Sequence, residues 1–313
     1  MITCPPMLRA IDKFRPIFAA RGIEIDTPNV VQILSEEELI VRVPQFDGWI
    51  IGDDPATARV FEAGKQGRLR AAVKWGVGVD NVDFEACSRL GIPISNTPGM
   101  FGQEVADIAV SYVTALARHT LDVDRGVKSG SWPKPAGISL AGRRVALIGF
   151  GDIGRNTAKR LVAADMNVVV YDPFFKPAPG LETVESSVWP ERLEEADFIV
   201  VTCALTPSSR HMLNADAFGR CRPGVRVVNV ARGPLIDENA LCDALGTGQV
   251  HSAALEVFET EPLPADAGIR KYADRCIFGS HNSSNTSDAV ERTSLKAIDL
   301  MSGFLGVTVP TNR

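Results

Sequence analysis

The segment Val145-Ala-Leu-Ile-Gly-Phe-Gly-Asp-Ile-Gly154, followed by Asn167-Val-Val-Val-Tyr-Asp172, constrains the fold more than any other part of the chain. An apolar run stops at a glycine turn, a helix-compatible stretch follows, and a second apolar run ends in an acid. Gly149, Gly151 and Gly154 satisfy G-x-G-x-x-G. In that spacing the first glycine makes the turn, the second lets a pyrophosphate approach the backbone, and the third lets helix pack on strand. A helix opening near Asp152 points unpaired N–H groups and a positive dipole end at the phosphates. Asp172 closes the second strand about 20 residues past the first glycine, where a carboxylate accepts bonds from the adenosine ribose hydroxyls. The same charge repels a 2′-phosphate, so the pattern predicts NAD rather than NADP.

The chain has 313 residues, room for about two domains. Its apolar fraction of 45% and charged fraction of 23% are those of an ordinary water-soluble protein. A net charge of −5 gives no reason to expect a nucleic-acid partner. No apolar run is long enough to span a membrane, and Met1-Ile-Thr-Cys-Pro-Pro lacks the basic and apolar regions of a leader. The six cysteines are scattered without C-x-x-C, the pattern of reduced thiols in a cytoplasmic protein. The four histidines, at 119, 211, 251 and 281, have no ligand-like spacing, so no metal site is expected.

The dinucleotide motif begins near residue 145, which leaves a stretch of domain size ahead of it. That stretch also alternates strand and helix. Gly22-Ile-Glu-Ile reads as a strand and Ser35-Glu-Glu-Glu-Leu as a capped helix start. Trp49-Ile-Ile is a short strand ending in Gly52-Asp-Asp-Pro55. Ala71 to Asp80 runs from a strand into a glycine turn, and Gly91 to Pro98 is a further strand and turn. Repeated alternation implies a second parallel sheet. A long helix is expected from Gly102 to Arg118, with Val105, Ile108, Ala109, Tyr112, Val113 and Leu116 on one apolar face. Arg125 to Ala141 is polar and broken by Gly and Pro, as a linker or arm would be. Strands are expected at Asp197–Thr202, Val225–Val230, Ser252–Leu255 and Cys276–Phe278, and a final helix over Ala289–Phe304. The fold class is therefore α/β, with two doubly wound parallel-sheet lobes. The final helix is expected to return to the first lobe. The boundaries are 1–98 with 284–313 for a substrate domain, and 99–283 for the NAD-binding Rossmann domain.

Ligands of open α/β sheets sit beyond the carboxyl ends of the strands. Three of these ends carry chemistry. Arg232 follows the strand ending near Asn229, and a guanidinium there holds a carboxylate at any working pH. Glu256, Glu259 and Glu261 follow Leu255. His281 follows Phe278. Singly, each residue is more often structural. Together on an NAD fold they form a working set: an imidazole that exchanges a proton near neutral pH, a carboxylate that fixes its tautomer, and an arginine that binds a substrate acid and polarises its carbonyl.

Over nearly its whole length the chain resembles the D-isomer-specific 2-hydroxyacid dehydrogenases. The matching stretches are Lys74-Trp-Gly-Val-Gly-Val-Asp-Asn-Val-Asp83, Asn96-Thr-Pro-Gly99, Gly149 to Gly154, Asn229-Val-Ala-Arg-Gly-Pro-Leu-Ile-Asp237 and Ala253-Ala-Leu-Glu-Val-Phe-Glu-Thr-Glu-Pro262. The resemblance implies a flavodoxin-like substrate domain, a Rossmann cofactor domain, a cleft between them, and a homodimer. It places the catalytic roles on Arg232, Glu261 and His281. It implies cofactor contacts at Ile153, Pro207, Ala231, Glu256 and Ser283 besides the glycine loop, Asp152 and Asp172, and substrate contacts at Lys74, Trp75, Gly76, Val77 and Gly78. The implied partner is a small 2-hydroxy or 2-keto acid. The 3-phosphoglycerate dehydrogenase branch is the nearest in pattern.

The chain departs from the family at four places, one of them Trp75, which stands where the phosphoglycerate branch has a small residue and would fill part of the pocket. Pro-His-(apolar)-Gly is replaced by Ser280-His281-Asn282-Ser283, a cofactor-contacting Asp by Glu256, and a phosphate-binding arginine by Gly52-Asp53-Asp54. If Asp53 and Asp54 face the cleft they disfavour a phosphorylated substrate and offer hydrogen bonds to a hydroxylated one; the alternative is that they serve the turn and helix cap around Pro55. A rival reading is an NAD-sensing regulator on the same fold. The Arg/Glu/His set favours the enzyme, since a sensor needs none of it.

Overall fold

Short runs of β-branched and small apolar residues form the parallel sheets that organise both units of the structure, a computed structural model describing residues 1–307. One unit is Met1–Met100 with the chain from Asn285 onward; the other is Phe101–Ser284. Residues 308–313, the end of the expected segment 284–313, lie outside the described residues.

In the first unit, helices α1 (Pro5–Arg9), α2 (Ile11–Ala20) and α3 (Glu36–Arg42) precede strand β1 (Gly48–Ile51). Then come α4 (Ala58–Gln66), β2 (Ala71–Lys74), α5 (Phe84–Leu90) and β3 (Ile94–Asn96). β1, β2 and β3 pair in parallel in that order. Helix α3 starts as the sequence predicts: Ser35 and Glu38 form a reciprocal capping box that satisfies two helix N-terminal donors.

Gly22 to Ile25 is not a regular strand. Its successor Asp26 instead accepts a single backbone bond from Ile2, at 3.0 Å, and Ile2 forms an isolated parallel bridge to Ile50. The extended segments therefore run in the order 24–26, 1–3, β1, β2, β3. That is the flavodoxin-like 2-1-3-4-5 order, with its first two members too short to ladder.

Of the two readings for Asp54, the structure favours the turn: its side chain accepts from Gly52 N within that turn. Asp54 is fully buried, and its carboxylate accepts from Thr3 Oγ1, from Leu34 N at 2.8 Å and from Gly52 N at 3.1 Å. Burial pushes its carboxyl above the usual range, against the pull of those donors. It is neither a ligand-facing acid nor the cap of α4, which is Thr57. Asp53 is about half exposed and pairs with Lys74 Nζ at 2.9 Å.

The second unit opens with α6 (Gly102–Arg118) and α7 (Thr120–Lys128). Residues 125–128 thus belong to a helix, and only 129–140 form the irregular arm. After β4 (Arg144–Ile148) come α8 (Asp152–Ala163), β5 (Asn167–Tyr171), β6 (Glu185–Ser186), β7 (Phe198–Val201), α9 (Ala215–Arg220), β8 (Val225–Asn229), α10 (Glu238–Thr247), β9 (Val250–Leu255) and β10 (Cys276–Phe278). The seven strands are ordered β10-β9-β8-β7-β4-β5-β6, all parallel, the Rossmann order extended at one side. Every residue of β7 and four of five in β4 and β5 are buried, as a parallel sheet covered on both faces requires. The apolar stripe of α6 (Val105, Ala109, Val113, Leu116) is buried, and the helix packs on α8, β8 and β9. The stripe is used within the unit and gives no argument for a subunit interface. By contrast α7 has no buried residue. The last helix, α11 (Ser287–Leu305), packs on α1, α2, β1 and β2 of the first unit.

Candidate active site

Parallel pairing brings the three sequence-distant segments of the candidate site to adjacent strand ends. Asn229 stands opposite Leu255, and Leu255 opposite Phe278. The chain therefore leaves β8, β9 and β10 at one level, and the next residues are 230–232, 256–261 and 279–281. Buried Asn229 shapes the first loop: its Oδ1 accepts from Ala231 N at 3.0 Å and its Nδ2 donates to Arg232 O at 2.9 Å. Arg232 is extended, and its guanidinium donates to the Ala231 carbonyl at 2.8 Å. Gly233 lies so close to the Phe258 backbone that a Cβ would overlap it, which draws the loop of Arg232 onto the loop of Glu261.

His281 Nδ1 is 2.8 Å from Glu261 Oε2. The other carboxylate oxygen accepts from Phe258 N at 2.9 Å. A carboxylate only accepts, so the imidazole proton facing it sits on Nδ1. The pair is about three-quarters buried, with side chains 26% and 24% exposed, where the attraction is screened less than on an open surface. His281 has φ 55°, in the left-handed region that a non-glycine residue occupies only when its surroundings hold it there. One such hold is the bond from His281 N to Glu256 O at 2.8 Å.

Glu256 is 3% exposed. Its Oε2 accepts from the Tyr112 hydroxyl at 2.5 Å and its Oε1 from Asn282 N. Burial, then the hydrogen bond to Glu256, push the Tyr112 phenol up, so it remains a neutral donor. Tyr112 was read from sequence only as a member of the apolar stripe. The available signal was the Glu at 256, whose extra length needs a donor farther away.

The nucleotide side of the unit fits NAD. Gly149 has φ 95° and a Cβ there would meet the Cys203 backbone, while one on Gly154 would overlap Gly149 O. Gly151 is exposed, with nothing within 4 Å of where its Cβ would be, so its backbone is open to a bulky phosphate. Gly151 also opens α8 without a side-chain cap, which leaves the first-turn N–H groups for an anion. Asp152 is turned onto its own helix, accepting from Asn156 Nδ2 at 3.2 Å, and Ile153 is half-buried. Asp172 Oδ2 accepts from Phe150 N at 2.6 Å and Oδ1 from Phe174 N at 2.8 Å. Those two bonds fix the carboxylate at the glycine loop, with a further acceptor position on each oxygen for a ribose hydroxyl. Pro207 lies exposed in the turn after β7; Ala231 and Ser283 are buried, each 8% exposed.

The remaining expected contacts lie in the first unit. Lys74 is 2% exposed and its ammonium donates to Gly52 O at 2.5 Å and to Asp53 Oδ1. Trp75 is buried and donates to Ser294 Oγ at 3.1 Å. Gly76 N donates to Thr97 Oγ1 at 2.8 Å, so this N–H already has an acceptor inside the unit, which weakens its case as a substrate donor. Val77 is exposed and Gly78 half-buried. Among the described residues no group of three or more His, Cys, Asp or Glu is placed to hold a metal ion, and no helix is long and apolar enough to cross a membrane.

Comparison with known proteins adds four findings. Residues 110–283 match the family described as D-isomer specific 2-hydroxyacid dehydrogenase, NAD binding domain. A hydroxypyruvate reductase of Thermotoga maritima is 36% identical over 279 residues, covering 88% of this chain and 90% of the relative. The human D-3-phosphoglycerate dehydrogenase is 34% identical over 284 residues, and there the match covers 87% of this chain but 52% of the relative, about half its length. Among solved structures, the TT0316 protein of Thermus thermophilus superposes with a TM-score of 0.86 at 30% identity, covering 99% of this chain and 97% of that one.

The geometry of Asp172 predicts cofactor preference. A unit like-charge pair at 4 Å and an effective dielectric near 20 costs about 4 kcal/mol, reduced here by exposure and salt. NAD should bind more tightly than NADP, and Asp172→Ala should narrow the gap, as measured by fluorescence titration of the two reduced cofactors. Equal dissociation constants in the unaltered protein would contradict this role for Asp172.

Proposed function

The chain belongs to the D-isomer-specific 2-hydroxyacid dehydrogenases, NAD-dependent enzymes that interconvert D-2-hydroxy and 2-keto acids, and on that premise we propose that Arg232, Glu261 and His281 perform the chemistry on a small, unphosphorylated 2-keto acid such as hydroxypyruvate. The observation that carries the proposal is the 2.8 Å contact of His281 Nδ1 with Glu261, one strand from the loop of Arg232. In reduction, the Arg232 guanidinium binds the substrate carboxylate and polarises the keto group. NADH, when bound, supplies the hydride. His281 delivers the proton to the keto oxygen from Nε2, while Glu261 holds Nδ1–H and stabilises the ring in its charged form before transfer. Oxidation runs the same steps in reverse, with His281 as base.

Preference for an unphosphorylated acid rests on Lys74. A phosphate dianion needs a free cation, and the Lys74 ammonium is already neutralised by Asp53 and buried against Gly52. Asp54, buried, takes no part. The hydroxypyruvate reductase relative matches along nearly its whole length, which supports the same choice.

We further propose a homodimer that uses α7 and the arm. Leu121, Val127 and Trp132 are 45%, 44% and 75% exposed, and the arm has no core of its own. Six unpaired cysteines support a cytoplasmic location.

Four outcomes are expected. His281→Ala should lower kcat for hydroxypyruvate reduction by about two to four orders of magnitude with NADH binding retained, and Glu261→Gln, which removes the anion facing the imidazolium, should move the pH profile of reduction downward. Turnover near normal in His281→Ala would remove that residue from the mechanism. In a direct comparison, kcat/KM for hydroxypyruvate should exceed that for 3-phosphohydroxypyruvate; the opposite order would establish a phosphoglycerate enzyme. By sedimentation velocity at micromolar concentration the protein should run as a dimer and Trp132→Asp as a weaker one, whereas a monomeric wild type would refute the interface.

A further inference from the structure

The segment that carries His281 is held by a residue to which the family pattern gives a different task. We propose that Glu256 and Tyr112 form a positioning pair that sets the imidazole of His281, and that Glu256 is not a cofactor ligand. The proposal rests on the reading of His281 as the proton-transfer group.

Three contacts tie Glu256 to this segment. Its carbonyl accepts from His281 N at 2.8 Å, its Oε1 accepts from Asn282 N, and its carboxylate lies against the Cα of Gly279, where a Cβ would overlap both the carboxylate and the Tyr112 hydroxyl. These residues span the turn in which His281 takes its left-handed φ of 55°. Such a conformation costs free energy for a residue with a Cβ and persists only where neighbours over-determine it. Glu256 is itself anchored. Its N–H donates to Asn229 O at 2.9 Å, and its Oε2 receives the Tyr112 hydroxyl from α6 at 2.5 Å. The same Asn229 holds the loop of Arg232, so one buried pair connects the backbones of both proposed catalytic loops. Burial also argues against a ligand role: Glu256 is 3% exposed, and both carboxylate oxygens already have donors from within the unit. An aspartate, one methylene shorter, could not reach the Asn282 N–H and the Tyr112 hydroxyl together from this backbone position. Tyr112 and the glutamate at 256 thus depend on each other.

The test uses the full-length protein, hydroxypyruvate reduction and NADH fluorescence titration on Tyr112→Phe, Glu256→Ala and Glu256→Gln, with His281→Ala in parallel. Tyr112→Phe and Glu256→Ala should lose about 10- to 100-fold in kcat, the scale of a misplaced catalytic group, while the Kd for NADH stays near the wild-type value. Glu256→Gln should retain more turnover than Glu256→Ala, because its amide oxygen accepts from Asn282 N and its amide nitrogen donates to the Tyr112 oxygen. A loss accounted for by weaker NADH binding would make Glu256 a cofactor ligand and overturn the proposal. Normal kcat in Tyr112→Phe and Glu256→Ala, beside an inactive His281→Ala, would overturn the positioning pair and leave the acid–base reading intact. An active His281→Ala would overturn both.

Discussion

Parallel pairing of β8, β9 and β10 in a register that sets Asn229, Leu255 and Phe278 side by side is the constraint on which the rest depends. Residues 232, 261 and 281 are far apart in sequence, and only a shared sheet edge makes them neighbours. Parallel strands all release their chains at the same edge, so polar loops concentrate there while the strands stay apolar. The glycine loop after β4 and the acid after β5 open on that same edge. One architectural rule thus brings together both the proposed dinucleotide groups and the proposed acid–base set.

At the edge, buried polar groups do the fine placement. Asn229 bonds both sides of the Arg232 loop, Glu261 is held by the Phe258 N–H, and Glu256 receives Tyr112 and Asn282. Each acceptor is matched with a donor, which is the condition under which buried polar groups rigidify a site rather than destabilise it. The first unit shows the same economy: Asp54 ties Thr3, Leu34 and Gly52 together, and Lys74 is spent on Gly52 and Asp53. Charges that look available for a ligand in the sequence are already committed in the structure.

The pattern of that commitment explains what the sequence could disclose. The strand–glycine–helix–strand unit was legible because its signals are local: Gly149, Gly154 and Asp172 act within about 20 residues of one another. Helix α6 was legible in extent because its apolar period persists from Val105 to Leu116, and α3 because Ser35 and Glu38 make a cap within one turn. Contacts that cross the chain were not. Tyr112 pairs with Glu256 and Asp54 with Thr3, and no spacing rule links such residues. The period of α6 put Tyr112 on the apolar face correctly but could not say that its hydroxyl needed an acceptor. Gly22 to Ile25 failed as a strand because ladder formation depends on a neighbour, and the neighbouring segment Met1–Thr3 offers it a single backbone bond, from Ile2 N to Asp26 O.

The central claim is that the protein reduces a 2-keto acid with NADH, stereospecifically, through the strand-end set. Its most direct test is to incubate the purified protein with NADH and a panel of unphosphorylated and phosphorylated 2-keto acids, follow the absorbance of NADH, and resolve the product enantiomers by chiral chromatography. The account predicts NADH consumption with an unphosphorylated 2-keto acid and a D-2-hydroxy acid as product. NADH binding without consumption across the whole panel, or an L-product, would contradict it.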